Sequence, residues 1–296
     1  MSDVDIKDSP FDESPIVPEL LPASTEISFR CHKDIKCFNA CCSNIDITLT
    51  PYDIIRLKQR LDMSSSDFLN EYTVPYEFDK DSIAGVKFKP VEDGTACRFM
   101  VDEGCSVYED RPTSCRYYPV GLVSMRKSDE YTDSASYALV QEDHCLGHKE
   151  DRKLTIEAYR DEQGVDIYDE MSRGWRQLIL KKKSSGATIG KPTLKSRQLF
   201  FMTMYDVDRF RTFIASAGFQ DSFDVDEERM AKMLTDDVEL MLFGYDFMKQ
   251  VLFAEETIPL KEGIKAERLK EEQAKLAEKE AAAQAVYTAD FESTDI

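Results

Sequence analysis

Eight cysteines are the residues of this chain whose type and spacing could do chemistry. All of them lie between Cys31 and Cys145, and the other 181 of the 296 residues contain none. Thiolates are soft, charged donors, and four of them complete a tetrahedral zinc site or bind an iron–sulfur cluster. Eight suffice for two four-thiolate sites, or for one cluster with cysteines left over. A buried inert thiol can explain one cysteine, but not this clustering, which therefore predicts metal ligation.

The stretch CFNACCSN places Cys41 directly beside Cys42. Successive side chains point to opposite faces in extended backbone and diverge by about 100° in a helix. The two thiols are therefore poorly placed to bind the same single ion. We expect either that they serve two neighbouring sites, or that one ligates while the other packs or donates a hydrogen bond.

Charge and hydropathy narrow the class of protein. The formal net charge is −19, which argues against nucleic acid and against an anionic membrane surface as partners. No apolar run approaches the length of a membrane span, and the acidic N-terminus is unlike a signal peptide. We therefore expect a cytoplasmic protein whose thiols stay reduced, in which cysteines bind metal or do chemistry instead of forming disulfides.

Local patterns predict an α+β fold: a small, irregular, metal-stabilised cysteine-rich domain with short helices and a β-hairpin, followed by a mainly helical extension. The segment TPYDIIRLKQRL reads as a helix with Thr50 as N-cap, Pro51 at the first helical position and Asp53 in the first turn. SSSDFLNEY predicts a second short helix, GVKFKP a strand, and CRFMVDEGCSVY a hairpin turning at Glu103–Gly104.

Composition divides the chain into four parts. Residues 1–26 are predicted to be a disordered acidic tail, because they are too polar and proline-rich to bury a core. Residues 27–150 form the cysteine-cluster domain, and residues 151–256 form the helical extension, with a flexible connector near 181–195. Residues 257–296 are a charged Ala/Glu/Lys tail, helical or disordered. Ile167, Met171, Trp175 and Leu178 recur at helical spacing, as do Val238, Met241, Tyr245, Met248 and Leu252.

The blocks FRC…CFNACCSNIDITLTPYDIIRLKQRL, DGTACRFM…GCSVYEDRPTSCRYYP and HCLG resemble the YkgJ-type CxxCxxCC cysteine-cluster family, described as zinc- or iron-chelating. The resemblance runs from about Phe29 to Gly147. It implies a [4Fe–4S]-type iron–sulfur cluster, slightly preferred, or zinc, in a structural or redox role. It assigns ligand roles to all eight cysteines, namely Cys31, Cys37, Cys41, Cys42, Cys97, Cys105, Cys115 and Cys145. The first spacers, of five and three residues, depart from the family pattern of two and two.

Neighbouring polar residues could assist the thiols. The three histidines, His32, His144 and His148, all flank cysteines, but eight thiols already suffice, so we expect supporting or exposed roles. Arg111–Pro112 predicts the start of a helix capped by Asp110, with backbone N–H groups near Cys115. Arg111 and Arg116 would either offset thiolate charge or form surface ion pairs.

Two other function classes stay open beside metal binding. A bacterial flagellin lysine N-methylase is similar to this family in its cysteine cluster, so a protein-modifying enzyme using the metal centre is one alternative. No nucleotide-binding loop is present in the sequence, since GATIGKPT lacks the phosphate-loop spacing. The other alternative is a metal-stabilised module that binds another protein.

Overall fold

The computed structural model describes residues 19–77, 83–126, 133–184 and 192–264, together with Ile16 and a few positions between 266 and 277. Most of the predicted N-terminal tail, residues 185–191 of the predicted connector and most of the C-terminal tail lie outside the described residues. Within the tail segment that is described, Leu21 forms a β-bridge to Tyr137 and Glu26 begins the first strand.

Short strands and many helices make this an α+β fold, as predicted. The described strands pair antiparallel, in a three-stranded sheet ordered β2-β4-β3 and in the pairs β1-β9, β5-β6 and β7-β8. The strands are β1 (Glu26–Ser28), β2 (Thr48–Leu49), β3 (Thr73–Glu77), β4 (Ala84–Phe88), β5 (Met100–Val101), β6 (Gly104–Cys105), β7 (Val120–Arg126), β8 (Asp133–Leu139) and β9 (Lys153–Thr155). The helices are α1 (Pro51–Arg60), α2 (Ser65–Tyr72), α3 (Thr113–Tyr117), α4 (Ile156–Gln163), α5 (Val165–Ser184), α6 (Leu194–Tyr205), α7 (Val207–Ile214), α8 (Ala217–Ser222), α9 (Glu227–Thr235) and α10 (Asp237–Phe253).

Helix α1 begins where the sequence predicts. The Thr50 side chain accepts a hydrogen bond from Asp53 N at 3.1 Å, and the Asp53 carboxylate accepts one from Thr50 N at 2.8 Å. This reciprocal pair is a capping box, and Pro51 occupies the first turn, where its missing N–H costs nothing. The predicted second helix, strand and hairpin are present as α2, β4 and β5-β6. The hairpin turns at Asp102 and Glu103, one residue earlier than predicted, because Gly104 pairs with Val101 in the ladder.

A large apolar core runs through both the cysteine-bearing segment and the helices that follow it. Leu57 and Phe68 from α1 and α2 are fully buried in the same cluster as Phe210 and Phe243 from α7 and α10. The cysteine-bearing segment therefore shares a substantial apolar core with the helices that follow it. A smaller second core includes Ile156 and lies beside Cys145.

Ion pairs join the same two parts of the chain. Lys58 of α1 is largely buried, and its Nζ lies 2.8 Å from Asp208 and 3.1 Å from Asp237. Asp208 also accepts a hydrogen bond from Ser65 N at 2.7 Å, so the start of α2 is tied to α7. These contacts hold α1 and α2, and through them the cysteine loops, against the helical extension.

The two predicted amphipathic helices of the extension are present as α5 and α10. Met241, Tyr245 and Met248 of α10 are buried, as the spacing predicts, but Ile167 of α5 is 45% exposed. In the described part of the chain, no helix is both long and apolar enough to cross a membrane.

Candidate metal centre

The first four cysteines lie in a loop of tight turns between β1 and β2. Backbone hydrogen bonds from Ile35 N to His32 O and from Phe38 N to Ile35 O close the first turns. The loop ends in a 3₁₀ turn, Ala40–Cys42. Asn39, which precedes this turn, adopts a left-handed conformation with φ of 66°, a conformation that Asn tolerates. Its side-chain amide donates to Val101 O at 3.0 Å and so ties the loop to the β5-β6 hairpin.

The hairpin carries Cys105 and places it near Cys97. Cys105 lies opposite Met100 in the β ladder, and Cys97 N donates to Cys42 O at 2.8 Å. Gly104 has φ of +130°, and a Cβ there would approach the Phe38 ring to 3.3 Å. Glycine is therefore required at this position both by its backbone conformation and by the close packing of the hairpin on the first loop.

Cys115 lies in α3, whose start is held by a residue of another helix. Asp53 Oδ1 accepts hydrogen bonds from Thr113 N at 2.8 Å and Thr113 Oγ1 at 2.7 Å. One fully buried carboxyl group thus caps α1 and also binds the start of α3. The prediction that Asp110 caps this helix is wrong, because the Asp110 carboxylate accepts instead from Arg56 Nε at 2.9 Å.

Cys145 meets the first loop from the far end of the segment. Leu146 N, next to it, donates to Cys37 Sγ at 3.2 Å, and Arg30 N donates to Gly147 O at 3.1 Å. These two contacts bring Cys31, Cys37 and Cys145 into one neighbourhood. A backbone N–H directed at a sulfur is a favourable partner for a thiolate ligand.

The Tyr118 hydroxyl lies beside Cys145 and is a donor that sequence reasoning missed. Its oxygen is buried and has no hydrogen-bond partner in the described part of the chain. Burial, together with the neighbouring Cys145 and Glu142, raises the pKa of Tyr118. Cys145 and Glu142 both act on this hydroxyl, so a negatively charged sulfur at Cys145 is one of two acceptors that would suit it.

The electrostatics of the thiols reflect their mutual proximity. The Sγ atoms of Cys41 and Cys42 lie 3.9 Å apart, and their hydrogen bond lowers the pKa of Cys41 to about 7 while it raises that of Cys42. Burial, reinforced by Cys41, Cys37 and Cys145, raises the pKa of Cys31 to about 11. The ionised thiolate is the form of cysteine that binds soft metals. A cysteine that ionises near neutral pH is therefore suited to ligation.

The thiols of Cys97, Cys105 and Cys115, on and near the β5-β6 hairpin, also have raised pKa values. Burial raises the pKa of Cys115, and Cys97 and Cys105 raise it further. Burial also raises the pKa of Cys105, an effect that the positive charge of Arg111 partly opposes. A bound cation would offset the cost of burying charged thiolates here, and it would reduce the repulsion between them.

The structure gives Arg116 and the three histidines partners other than the thiols. Arg116 is buried and donates to Arg111 O at 3.0 Å, Gln163 O at 2.8 Å and Tyr168 Oη at 2.9 Å, so these neutral groups are its partners in place of a surface carboxylate. Each histidine has its own partner outside the thiols: His148 contacts Val140 O, His32 lies near Glu150, and His144 lies near Glu142.

The donor set fits a soft metal, although the sulfurs are not yet directed at one point. All eight cysteines are free thiols. Among the described residues, no three His, Cys, Asp or Glu side chains are placed so that they could hold a metal ion as they stand. Ligation therefore needs the sulfurs to turn toward a common centre.

The fold and its thiols define a cysteine-rich α+β domain whose donors are those of a metal site. Residues 30–146 match the family model of the CxxCxxCC domain, described as a "Putative zinc- or iron-chelating domain". The match confirms the family resemblance for this segment, which contains all eight cysteines, and supports metal binding by it. No curated protein and no solved structure matches the chain.

Proposed function

We propose that the segment from Cys31 to Cys145 is a metal-binding domain whose thiolates hold an iron–sulfur cluster of the [4Fe–4S] type, in preference to zinc. The observation that carries this proposal is that the segments bearing the eight free thiols contact one another: Cys97 N donates to Cys42 O, and Leu146 N donates to Cys37 Sγ. The proposed ligands are Cys31, Cys37, Cys41, Cys42, Cys97, Cys105, Cys115 and Cys145.

The surrounding groups support a centre made of thiolates. Leu146 N donates to Cys37 Sγ, and the buried Tyr118 hydroxyl lies ready to donate to Cys145. The charge of Arg111 acts on Cys105 and stabilises its ionised form. Hydrogen bonds to sulfur and nearby positive charge stabilise thiolate ligands in zinc sites and iron–sulfur sites alike, so the preference for iron rests on the family resemblance.

The proposed role is structural or redox, in a cytoplasmic protein. When bound, such a centre supplies cross-links between chain segments, and an iron–sulfur cluster also supplies one-electron transfer. The four cysteine-bearing segments are held by few regular hydrogen bonds, since β5 and β6 have two residues each and α3 has five. Cross-links through metal would therefore add most to stability in this region.

Metal analysis after anaerobic purification of the full chain tests the proposal. We expect iron with acid-labile sulfide, and broad visible absorption that bleaches on reduction. Stoichiometric zinc in a colourless preparation would overturn the preference for iron but retain metal binding. A chain that carries neither metal, and takes up neither when they are added under reducing conditions, would refute the proposal as a whole.

A matched pair of variants links the metal to the thiols. Cys115→Ser should lose metal, whereas Ser114→Ala, which removes the neighbouring hydroxyl that donates to Thr48 O at 3.2 Å, should keep it. Full metal content in Cys115→Ser would contradict the assignment of this cysteine as a ligand.

A further inference from the structure

The cysteines gather in two neighbourhoods that different backbone contacts hold. On one side, the hydrogen bonds Arg30 N to Gly147 O at 3.1 Å and Leu146 N to Cys37 Sγ at 3.2 Å bring together the segments that carry Cys31, Cys37 and Cys145. None of these contacts involves the hairpin or α3.

On the other side, Cys97 N donates to Cys42 O at 2.8 Å, and Cys105 lies on the hairpin strand opposite Met100. Met100 N in turn donates to Cys97 O at 3.1 Å, so the turn that begins at Cys97 leads directly into the strand opposite Cys105. Cys115 joins them from α3, where Ser114 Oγ donates to Thr48 O just beyond the first loop.

The two neighbourhoods also rest on different apolar cores. Cys97 and Cys105 pack against the large core formed by α1, α2 and the helical extension. Cys145 packs against the small core around Ile156 and Tyr159. A centre on each side would therefore stabilise a different part of the molecule.

Cys41 and Cys42 lie where the two neighbourhoods meet. They occupy one 3₁₀ turn, in which successive side chains diverge by about 120°, and their sulfurs are 3.9 Å apart. The Cys42 carbonyl accepts from Cys97 N, which places this residue on the hairpin side. With Cys42 on the hairpin side, Cys41 is left for the side that otherwise holds three cysteines, because successive side chains diverge along the turn.

We propose that the eight cysteines form two four-thiolate centres that meet at the Cys41–Cys42 pair. This inference rests on the proposed function and assigns its ligands. The first centre takes Cys31, Cys37, Cys41 and Cys145, and the second takes Cys42, Cys97, Cys105 and Cys115. Each set then has the four thiolates that a zinc ion or a [4Fe–4S] cluster needs.

Paired substitutions measured for metal content distinguish two centres from one. Cys31→Ser/Cys145→Ser removes two ligands of the first centre, and Cys97→Ser/Cys115→Ser removes two of the second. Each should keep about half of the wild-type metal, because one complete set of four thiolates remains. The cross-set variant Cys31→Ser/Cys115→Ser should lose nearly all of it. Equal losses in the three double variants would show one shared centre and overturn the inference.

A measurement on the unmodified chain avoids dependence on the folding of variants. The metal-loaded protein is exposed to increasing chelator, the thiols that become accessible are alkylated, and each cysteine is quantified by mass spectrometry. We expect the cysteines to become reactive in two groups of four with the membership given above. Release of all eight in a single phase, or in groups of other membership, would overturn the inference. A wild-type chain that binds neither zinc nor iron would refute the proposed function itself, a result distinct from either of these.

Discussion

Replacement of Arg116 by alanine should destabilise the protein by about 3–5 kcal/mol, because it leaves several buried acceptors without a donor, at a cost of about 1–3 kcal/mol each. The guanidinium joins α3, just after Cys115, to the helices that follow. It donates at 2.8–3.0 Å to Arg111 O, Gln163 O and Tyr168 Oη, and it also contacts Glu109 O. It lies 4.2 Å from the centre of the Tyr168 ring.

The magnitude follows from these contacts. A hydrogen bond to a charged group contributes about 1.5–3 kcal/mol, and a cation–π contact about 0.5–2 kcal/mol. Their simple sum exceeds the expected loss, because contributions within one network are not additive and water can enter the space that the side chain leaves. Arg116→Lys keeps the charge but not the planar fork, so it should lose about half as much.

Urea unfolding followed by the fluorescence of Trp175 measures this effect. Trp175 is the single tryptophan of the chain, and its Nε1 donates to Tyr205 Oη at 3.1 Å in the same core. Chelator-treated and untreated samples separate the loss of packing from any loss of metal. The exposed Arg209→Ala serves as control, with an expected change within about 0.5 kcal/mol. A loss below about 1 kcal/mol for Arg116→Ala would refute the reasoning.

Two further predictions concern helix packing and acid stability. A Cβ at Gly174 would lie 2.8 Å from Cγ of Tyr245, so Gly174→Ala should lower the free energy of unfolding by about 1–3 kcal/mol. In Gly218→Ala the new methyl meets nothing within 4 Å, so this control should be neutral or stabilising by up to about 1 kcal/mol; equal effects in the two variants would contradict the packing argument. Burial alone would raise the pKa of Asp208, but hydrogen bonds from Lys58, Ser65 N and Arg211 hold it at about 2. Because the pKa of an unfolded aspartate is about 3.9, this contribution is full above that pH and is lost as the pH falls through about 2. After allowance for partial exposure it amounts to about 1–2 kcal/mol, and unfolding measured between pH 5 and pH 2 should show less of this dependence in Asp208→Asn; an unchanged profile would count against it.

Some of the candidate site could be predicted because its signals are local. The Thr50 cap, Pro51 and the hairpin around Gly104 each depend on residues a few positions apart, and each is present in the structure. The clustering of the cysteines in one segment was equally visible, and the family match covers that segment.

Other features depend on residues that are distant in the sequence. The prediction of Asp110 as the cap of α3 was reasonable from its position, but Asp53, 60 residues earlier than Thr113, takes that place. Arg116 carries no sequence signal that distinguishes a buried arginine from a surface one. Ile167 has the spacing of a core residue but is exposed, because the apolar face of α5 is set by what packs against it.

The amino-acid sequence alone therefore specifies the chemistry: eight soft donors in a short segment, and helix and hairpin signals that act over a few residues. Tertiary structure alone decides which thiols are neighbours. Cys37 and Leu146 are 109 positions apart, and Cys42 meets Cys97 through a backbone hydrogen bond that no spacing predicts. The physical reason is that capping and periodicity are short-range properties of the backbone, whereas the grouping of ligands follows from how separate segments pack on a shared core.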